Sequence, residues 1–201
     1  MSKSKNKLTI NADNVSDVID VLTELSKPVA ITNAIIKDGM CNYGYEILTG
    51  PGKGDKIPNR KGSSYVHEDM INAFSQLNVH LAIIDEVFKY AKTTKTLDDM
   101  KDHEAVEQFS VTGIKVQGSD EDEGFILIGE KYVETGNIGL ESPKIKSTSG
   151  YLFFDELKES ISSVITEVEA YMNGKAAPKF EQTEMDFDTA AGNSDFENPI
   201  D

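Results

Sequence analysis

Gln108-Phe109-Ser110-Val111-Thr112-Gly113-Ile114-Lys115-Val116-Gln117 and Gly124-Phe125-Ile126-Leu127-Ile128-Gly129-Glu130-Lys131-Tyr132-Val133 decide the fold. Both runs are rich in β-branched and aromatic residues and are bounded by Gly and Asp, so they read as the two strands of a hairpin. Gly118-Ser119-Asp120-Glu121-Asp122-Glu123 joins them, and a loop so charged stays in water. Phe125 to Ile128 is apolar at every position, which predicts a central strand covered on both sides. In the first strand the apolar parity switches at Gly113, from Phe109 and Val111 to Ile114 and Val116. One extra residue there, a β-bulge, explains the switch.

The rest of the chain is arranged around this hairpin. Asn11 to Ser26 reads as a helix with Val15, Val18, Ile19, Leu22 and Leu25 on one stripe, a cap at Asn11, Asp13 or Asn14, and Pro28 beyond its end. Val29 to Ile36 and Asn42 to Thr49 flank Asp38-Gly39, a two-residue turn signal, and predict a second hairpin. Residues 50–65 read as a long Gly- and Pro-rich loop. Val66 to Ala91 reads as helix, broken near Asn78, with Ile71, Phe74, Leu77, Leu81, Ile84, Phe88 and Ala91 on its apolar face. Residues 92–107 are a polar connector with a helical turn, and Ile138 to Leu140 form a short strand. Tyr151 to Asn173 is the clearest helix, striped by Leu157, Ile161, Val164, Ile165, Val168, Tyr171 and Met172, with Gly174 at its C′ position. The order predicts an α+β fold: an antiparallel sheet built from two hairpins with helices packed on it. A closed oligonucleotide-binding barrel is the alternative, but its five strands are not evident in the required order. The expected boundaries are a disordered N-terminus over 1–10, one domain over 11–177 and an acidic disordered tail over 178–201.

Composition narrows the function. The net charge is −15. Residues 180–201 hold seven acids and no base, leaving 28 acids and 20 bases, a net of −8, in residues 1–179. An acidic body opposes indiscriminate DNA binding, so a nucleic-acid surface has to be a local basic patch. No apolar run is long enough to span a membrane, and Met1 to Lys7 is not followed by the apolar stretch of a signal peptide. A single cysteine, Cys41, excludes an internal disulfide and points to the cytoplasm. Nor does Cys41 have an obvious base beside it in sequence. His67, His80 and His103 are spaced too widely for a zinc pattern, and Asp120 to Glu123 lacks the ligand pattern of a calcium loop, so no metal and no cofactor is expected. His67-Glu68-Asp69 reads as a helix start with acids at its positive end. Without a nucleophile elbow, catalytic dyad, dinucleotide fingerprint or kinase motif, the chain reads as non-catalytic.

Two candidate sites remain. The first is a groove for single-stranded DNA, with Lys53, Lys56, Arg60 (the only arginine) and Lys61 tracking phosphates and Tyr43 and Tyr45 stacking bases. It is not a P-loop, since the Gly-Lys-Ser/Thr ending is missing. The second is the tail, where Phe180, Met185, Phe187, Phe196 and Ile200 are set singly among acids, a pattern suited to docking on a basic, pocketed partner.

On those residues the plan resembles bacterial and phage single-stranded DNA-binding proteins, in which a folded domain precedes a flexible acidic tail. Asp186-Phe187-Asp188 and Asp195-Phe196-Glu197-Asn198-Pro199-Ile200-Asp201 carry the resemblance, although consecutive aspartates are missing and the last residue is not aromatic. It implies a tip that recruits replication and repair enzymes and competes with DNA for the groove. Gln182-Thr183-Glu184-Met185-Asp186-Phe187 is similar to the peptide by which bacterial replication proteins bind the sliding clamp, on Gln182, Met185 and Phe187. Val66-His67-Glu68-Asp69 with its helix, and Gly118 to Gly124, look like small proteins of phage replication and recombination regions. The resemblances imply a single-stranded DNA-binding or replication and recombination accessory protein. The alternative is an acidic interaction protein, a DNA mimic, inhibitor or clamp-directed adaptor, that does not bind DNA.

Overall fold

The computed structural model describes residues 28–86, 96–119 and 122–178. The helix expected over 11–26 and the acidic tail lie outside these residues. Seven antiparallel strands form one sheet, β1 (Val29–Lys37), β2 (Met40–Ile47), β3 (Lys56–Tyr65), β4 (Phe109–Gln117), β5 (Gly124–Val133), β6 (Gly136–Glu141) and β7 (Ile145–Lys146). Their order is β3-β2-β1-β4-β5-β6, with β7 also on β5. Both expected hairpins are present, and they lie side by side through β1 and β4. β3 and β6 end the order unpaired with each other, so the sheet is open and not a barrel. With the helices on it, the fold is α+β.

Local sequence sets the turns and bulges. Asp38 and Gly39 take φ of +53° and +74°, the positive pair that a tight hairpin turn demands and that Asp-Gly tolerates. The register of β4 on β5 shifts between Val111 and Gly113, where the apolar parity switches. Phe109 and Val111 before the shift, and Ile114 after it, therefore all reach the core.

Four helices follow the apolar periodicity, α1 (Glu68–Ser75), α2 (Asn78–Ile84), α3 (Leu97–Lys101) and α4 (Phe154–Met172). The break expected near Asn78 separates α1 from α2. His67 caps α1, its Nδ1 accepting from the Asp69 N–H at 3.2 Å, with Glu68 and Asp69 in the first turn. Thr96 and Asp99 make a capping box on α3. Ile71 is 52% exposed, against expectation. The buried stripe runs Met70, Ala73, Phe74 and Leu77, the i, i+3, i+4, i+7 positions of one face, and Ile71 falls one residue outside it. In α4, Leu157, Ile161, Val164, Val168 and Tyr171 are buried as the stripe predicts.

These helices pack on one face of the sheet, α1 against α4, α2 against β4 and α4 against β1. The other face carries no described helix, yet β5 is central and its apolar run is buried toward both faces, as expected. Phe125 and Leu127 enter the helix-side core, yet Ile126 on the far side is still only 8% exposed. An ion pair accounts for this. Lys115 on β4 stands opposite Ile126, and Glu141 on β6 stands opposite Ile128. Lys115 Nζ and the Glu141 carboxylate meet at 2.8 Å, so the lysine stem has to cross above β5.

The segment 50–65 also departs from its reading as loop. Only its first part is a turn, and residues 56–65 form the edge strand β3. Alternation is absent because the strand is exposed at nearly every position, and Pro58 is tolerated because an edge strand leaves one side unpaired.

Candidate nucleic-acid interface

β3 carries most of the basic residues singled out from sequence, and its register sorts them. Arg60 lies opposite the inward-facing Tyr43, whereas Lys61 lies opposite Asn42 and Lys56 opposite Glu46. Lys56 Nζ is 3.4 Å from the Glu46 carboxylate, an exposed pair of small energetic weight. Lys53 sits apart in the β2–β3 turn, its N–H donating to the Gly50 carbonyl. The four cations thus do not form one patch. Arg60 and Lys61 line a common cavity with Tyr43, Lys56 faces a carboxylate, and Lys53 stands alone.

Tyr43 is 5% exposed, its ring edge-on to Tyr171 at 6.3 Å, and its hydroxyl pKa is raised by burial against the opposing pull of Arg60. A ring so enclosed offers no face to a base, which corrects its reading as a stacking platform. Tyr45 stacks on Tyr43 at 6.3 Å and packs against the same core while half-buried. Alternation along β2 sends both rings to the helix side.

The cavity shared by Tyr43, Arg60 and Lys61 encloses about 210 Å3 and is completed by Gly62, Ser63, Ser64, Tyr171, Met172, Gly174 and Ala176. A bulge builds it. The pairing on β2 jumps from Lys61 to Tyr65, leaving Gly62 to Ser64 looped against the end of α4. The Tyr171 hydroxyl locks this loop by donating to the Ser64 carbonyl and accepting from the Ser64 N–H at 3.3 Å. Gly62 is needed for that approach, since a Cβ there would stand 2.3 Å from the Tyr171 hydroxyl and 2.4 Å from the Cys41 carbonyl. Tyr171→Phe keeps the packing and removes the lock. The expected loss is about 1 kcal/mol, the usual net worth of one hydrogen bond. Faster amide exchange at Ser63 to Tyr65 would report it, and unchanged exchange would show that the lock carries no weight.

On the face away from the described helices a second, larger groove of about 540 Å3 crosses β3, β2, β1 and β4. Thr32, Asn33, Asn42, Asn59 and Gln117 give it amide and hydroxyl groups, Ile35, Pro58 and Val116 an apolar floor, and Lys37 and Lys115 its charge. Its lining contains no Asp or Glu. The Asn33 side chain crosses Gly44 to donate to the Pro58 carbonyl at 3.0 Å and fixes β3 to β1 across β2. None of these amides was singled out from sequence. Alternate polar positions on β1, β2 and β4 were the available signal, and the parity of Asn33, Ile35 and Lys37 carries it.

The other candidates are accounted for structurally. Cys41 is buried, and burial pushes its thiol up to about 11, the wrong direction for a nucleophile. His103 caps a short 3-10 turn, its Nδ1 accepting from the Ala105 N–H at 3.1 Å. His80 is fully buried, Nδ1 at 2.8 Å from the Tyr151 hydroxyl. Among the described residues no group of three or more His, Cys, Asp or Glu is placed to hold a metal ion. Asp122, from the acidic turn, meets Lys144 at 3.4 Å and Lys146 at 2.5 Å, and these lysines hold its carboxyl below the usual range. No described helix is long and apolar enough to cross a membrane. Gln182, Met185, Phe187, Phe196 and Ile200 lie outside the described residues. Comparison with known protein families, with curated proteins and with solved structures finds no match to this chain.

Proposed function

We propose that the chain is a non-catalytic single-stranded DNA-binding or replication and recombination accessory protein whose acidic tail recruits partner proteins. The observation that carries this reading is the pair of acid-free cavities meeting at β3 on a chain of net charge −15. A strand laid across the outer groove would set its phosphates against Lys37, Lys115 being held by Glu141 at 2.8 Å, and its bases against Ile35, Pro58 and the side-chain amides. Stacking on Tyr43 and Tyr45 plays no part in this version, so hydrogen bonding and charge supply the affinity.

The tail joins the domain beside that surface. Lys175 Nζ is held by Asp69 at 2.6 Å and Glu167 at 2.7 Å, and the Ala177 N–H donates to the Tyr65 carbonyl at 3.0 Å. Ala176 lines the same cavity as Arg60 and Lys61, so the last described residues before the tail lie at the end of β3. Competition between the acidic tail and DNA for this surface is part of the reading.

Labelled oligonucleotide titrations test the reading. Full-length protein should bind single strands at low salt, and a chain ending at residue 179 should bind more tightly and depend less on divalent salt. Lys37→Ala should lower the salt slope by about 0.7, the share of one lost phosphate contact, and weaken binding several-fold. If the truncated chain binds no oligonucleotide at low salt, the reading fails.

A second reading, a tail-directed adaptor that does not bind DNA, is favoured by the enclosure of Tyr43 and the −8 balance of residues 1–179. Its partners would be replication or repair proteins, a sliding clamp among them. Changing Gln182, Met185 and Phe187 to Ala should then abolish capture of a purified clamp, with no oligonucleotide binding by either form.

A further inference from the structure

We propose that the cavity under the β3 bulge is a phosphomonoester site, one that receives the terminal phosphate of a strand rather than an internal phosphodiester. For the identity of its ligand the proposal rests on the strand-binding reading, while its chemistry stands on the cavity alone.

Size comes first. At about 210 Å3 the cavity is below the ~300–1,000 Å3 of pockets that enclose whole small molecules. It has room for a charged group and its water, not for a nucleoside. Shape comes second. Tyr43, Tyr171, Met172, Gly174 and Ala176 line it on the side of α4, while Arg60, Lys61, Ser63 and Ser64 are exposed at its mouth. A shallow recess of this kind suits a chain end better than a strand passing through it.

Charge comes third. Arg60 and Lys61 are adjacent, both exposed, and neither is within ion-pair distance of a described carboxylate. Arg60, on the face of Tyr43, offers a planar fork of donors for phosphoryl oxygens, and Lys61, which leaves the strand on the face of Asn42, adds positive charge at the rim. The Ser63 and Ser64 hydroxyls stand on the same lining and bond no described group. Near neutral pH a monoester carries about −1.5 to −2 and a diester one charge, so two neighbouring cations discriminate in favour of the monoester.

Position comes last. Asn59 lines the outer groove and Arg60, the next residue, lines this cavity. A strand leaving the groove over the edge of β3 would bring its end to the cavity mouth.

Three labelled oligonucleotides of identical sequence, with a 5′-phosphate, a 3′-phosphate or neither, are titrated against the full-length chain. One of the phosphorylated strands should bind about tenfold tighter than the unphosphorylated one, as expected for added charge-assisted contacts. Arg60→Ala and Ser63→Ala should erase that gain, while Lys37→Ala should weaken all three strands alike. Equal affinities for the three strands would overturn the terminal-phosphate proposal and leave strand binding intact. If no strand binds, the strand-binding reading fails by itself, and inorganic phosphate decides the site. Saturable shifts of the Ser63 and Ser64 amide resonances, absent in Arg60→Ala, support it, and their absence in the native chain overturns it.

Discussion

Between pH 6.5 and 4 the domain is expected to lose about 3 kcal/mol of stability, and His80→Leu to lose almost none over the same interval. His80 is fully buried on α2, and burial, assisted by the charge of Lys101, pulls its pKa from 6.5 down to about 4. The Tyr151 hydroxyl meets Nδ1, while Nε2 is buried without a partner. The folded protein therefore keeps the ring neutral through the interval in which the unfolded chain takes up a proton. At about 1.4 kcal/mol per unit of pKa difference, the favourable balance present above pH 6.5 drains away as pH falls and levels off below about 4. Asp69 and Asp122 also have lowered pKa values, but from an ordinary value of 3.8, so their contributions are lost at lower pH. His80→Leu leaves the Tyr151 hydroxyl without its partner, which costs about 1–3 kcal/mol at neutral pH. Denaturant unfolding at pH 7 and pH 4 separates the two effects. Parallel losses in the native chain and the variant would show that His80 is not the acid-sensitive group.

Gly129→Ala is expected to cost about 2–3 kcal/mol, the range for inserting a carbon into packed structure, or roughly 4–12 °C in Tm. A Cβ at Gly129 would stand 2.3 Å from the Ser110 carbonyl, 3.0 Å from the Val111 Cα and 2.9 Å from a Leu81 methyl. Two of these are backbone atoms of β4 just before its bulge, and the third belongs to α2, so the new carbon cannot be relieved by one side-chain rotation. Gly139, on the edge strand β6, is the control. A Cβ there meets nothing within 4 Å, and Gly139→Ala should change stability by no more than about 0.5 kcal/mol. Equal effects at the two positions would mean that backbone conformation, not packing, governs the cost.

How much of this was legible in the sequence depended on whether burial had left a pattern. Phe109 to Val116, with its switch of parity, revealed both the strand and its bulge, because half-buried strands alternate and a bulge shifts the alternation. α4 was legible from Leu157 to Tyr171 for the same reason at helical spacing. β3 was not, since Lys56 to Tyr65 is exposed along nearly all its length and its composition is that of a turn. Its pairing partners on β2 decide that it is a strand, and those are nonlocal. The site suffered doubly from this. Arg60 and Lys61 were found by charge, but the hydroxyl of Tyr171, more than a hundred residues away, closes their cavity and looks in sequence like one more residue of the α4 stripe. Tyr43 misled in the opposite sense, because an aromatic on a strand beside basic residues reads the same whether it faces a ligand or the core.

The narrow seam between β1 and β4 bears on how the chain reaches this arrangement. β3-β2-β1 is drawn from residues 29–65 and β4-β5-β6 from residues 109–141, so each trio is closed by short loops and can assemble early. They are joined in register at Asn33 with Lys115, Ala34 with Ile114 and Ile35 with Gly113. Closing that long excursion costs chain entropy before the seam returns any contact energy, so the union of the two trios, guided by the helices spanning it, is the natural bottleneck in folding.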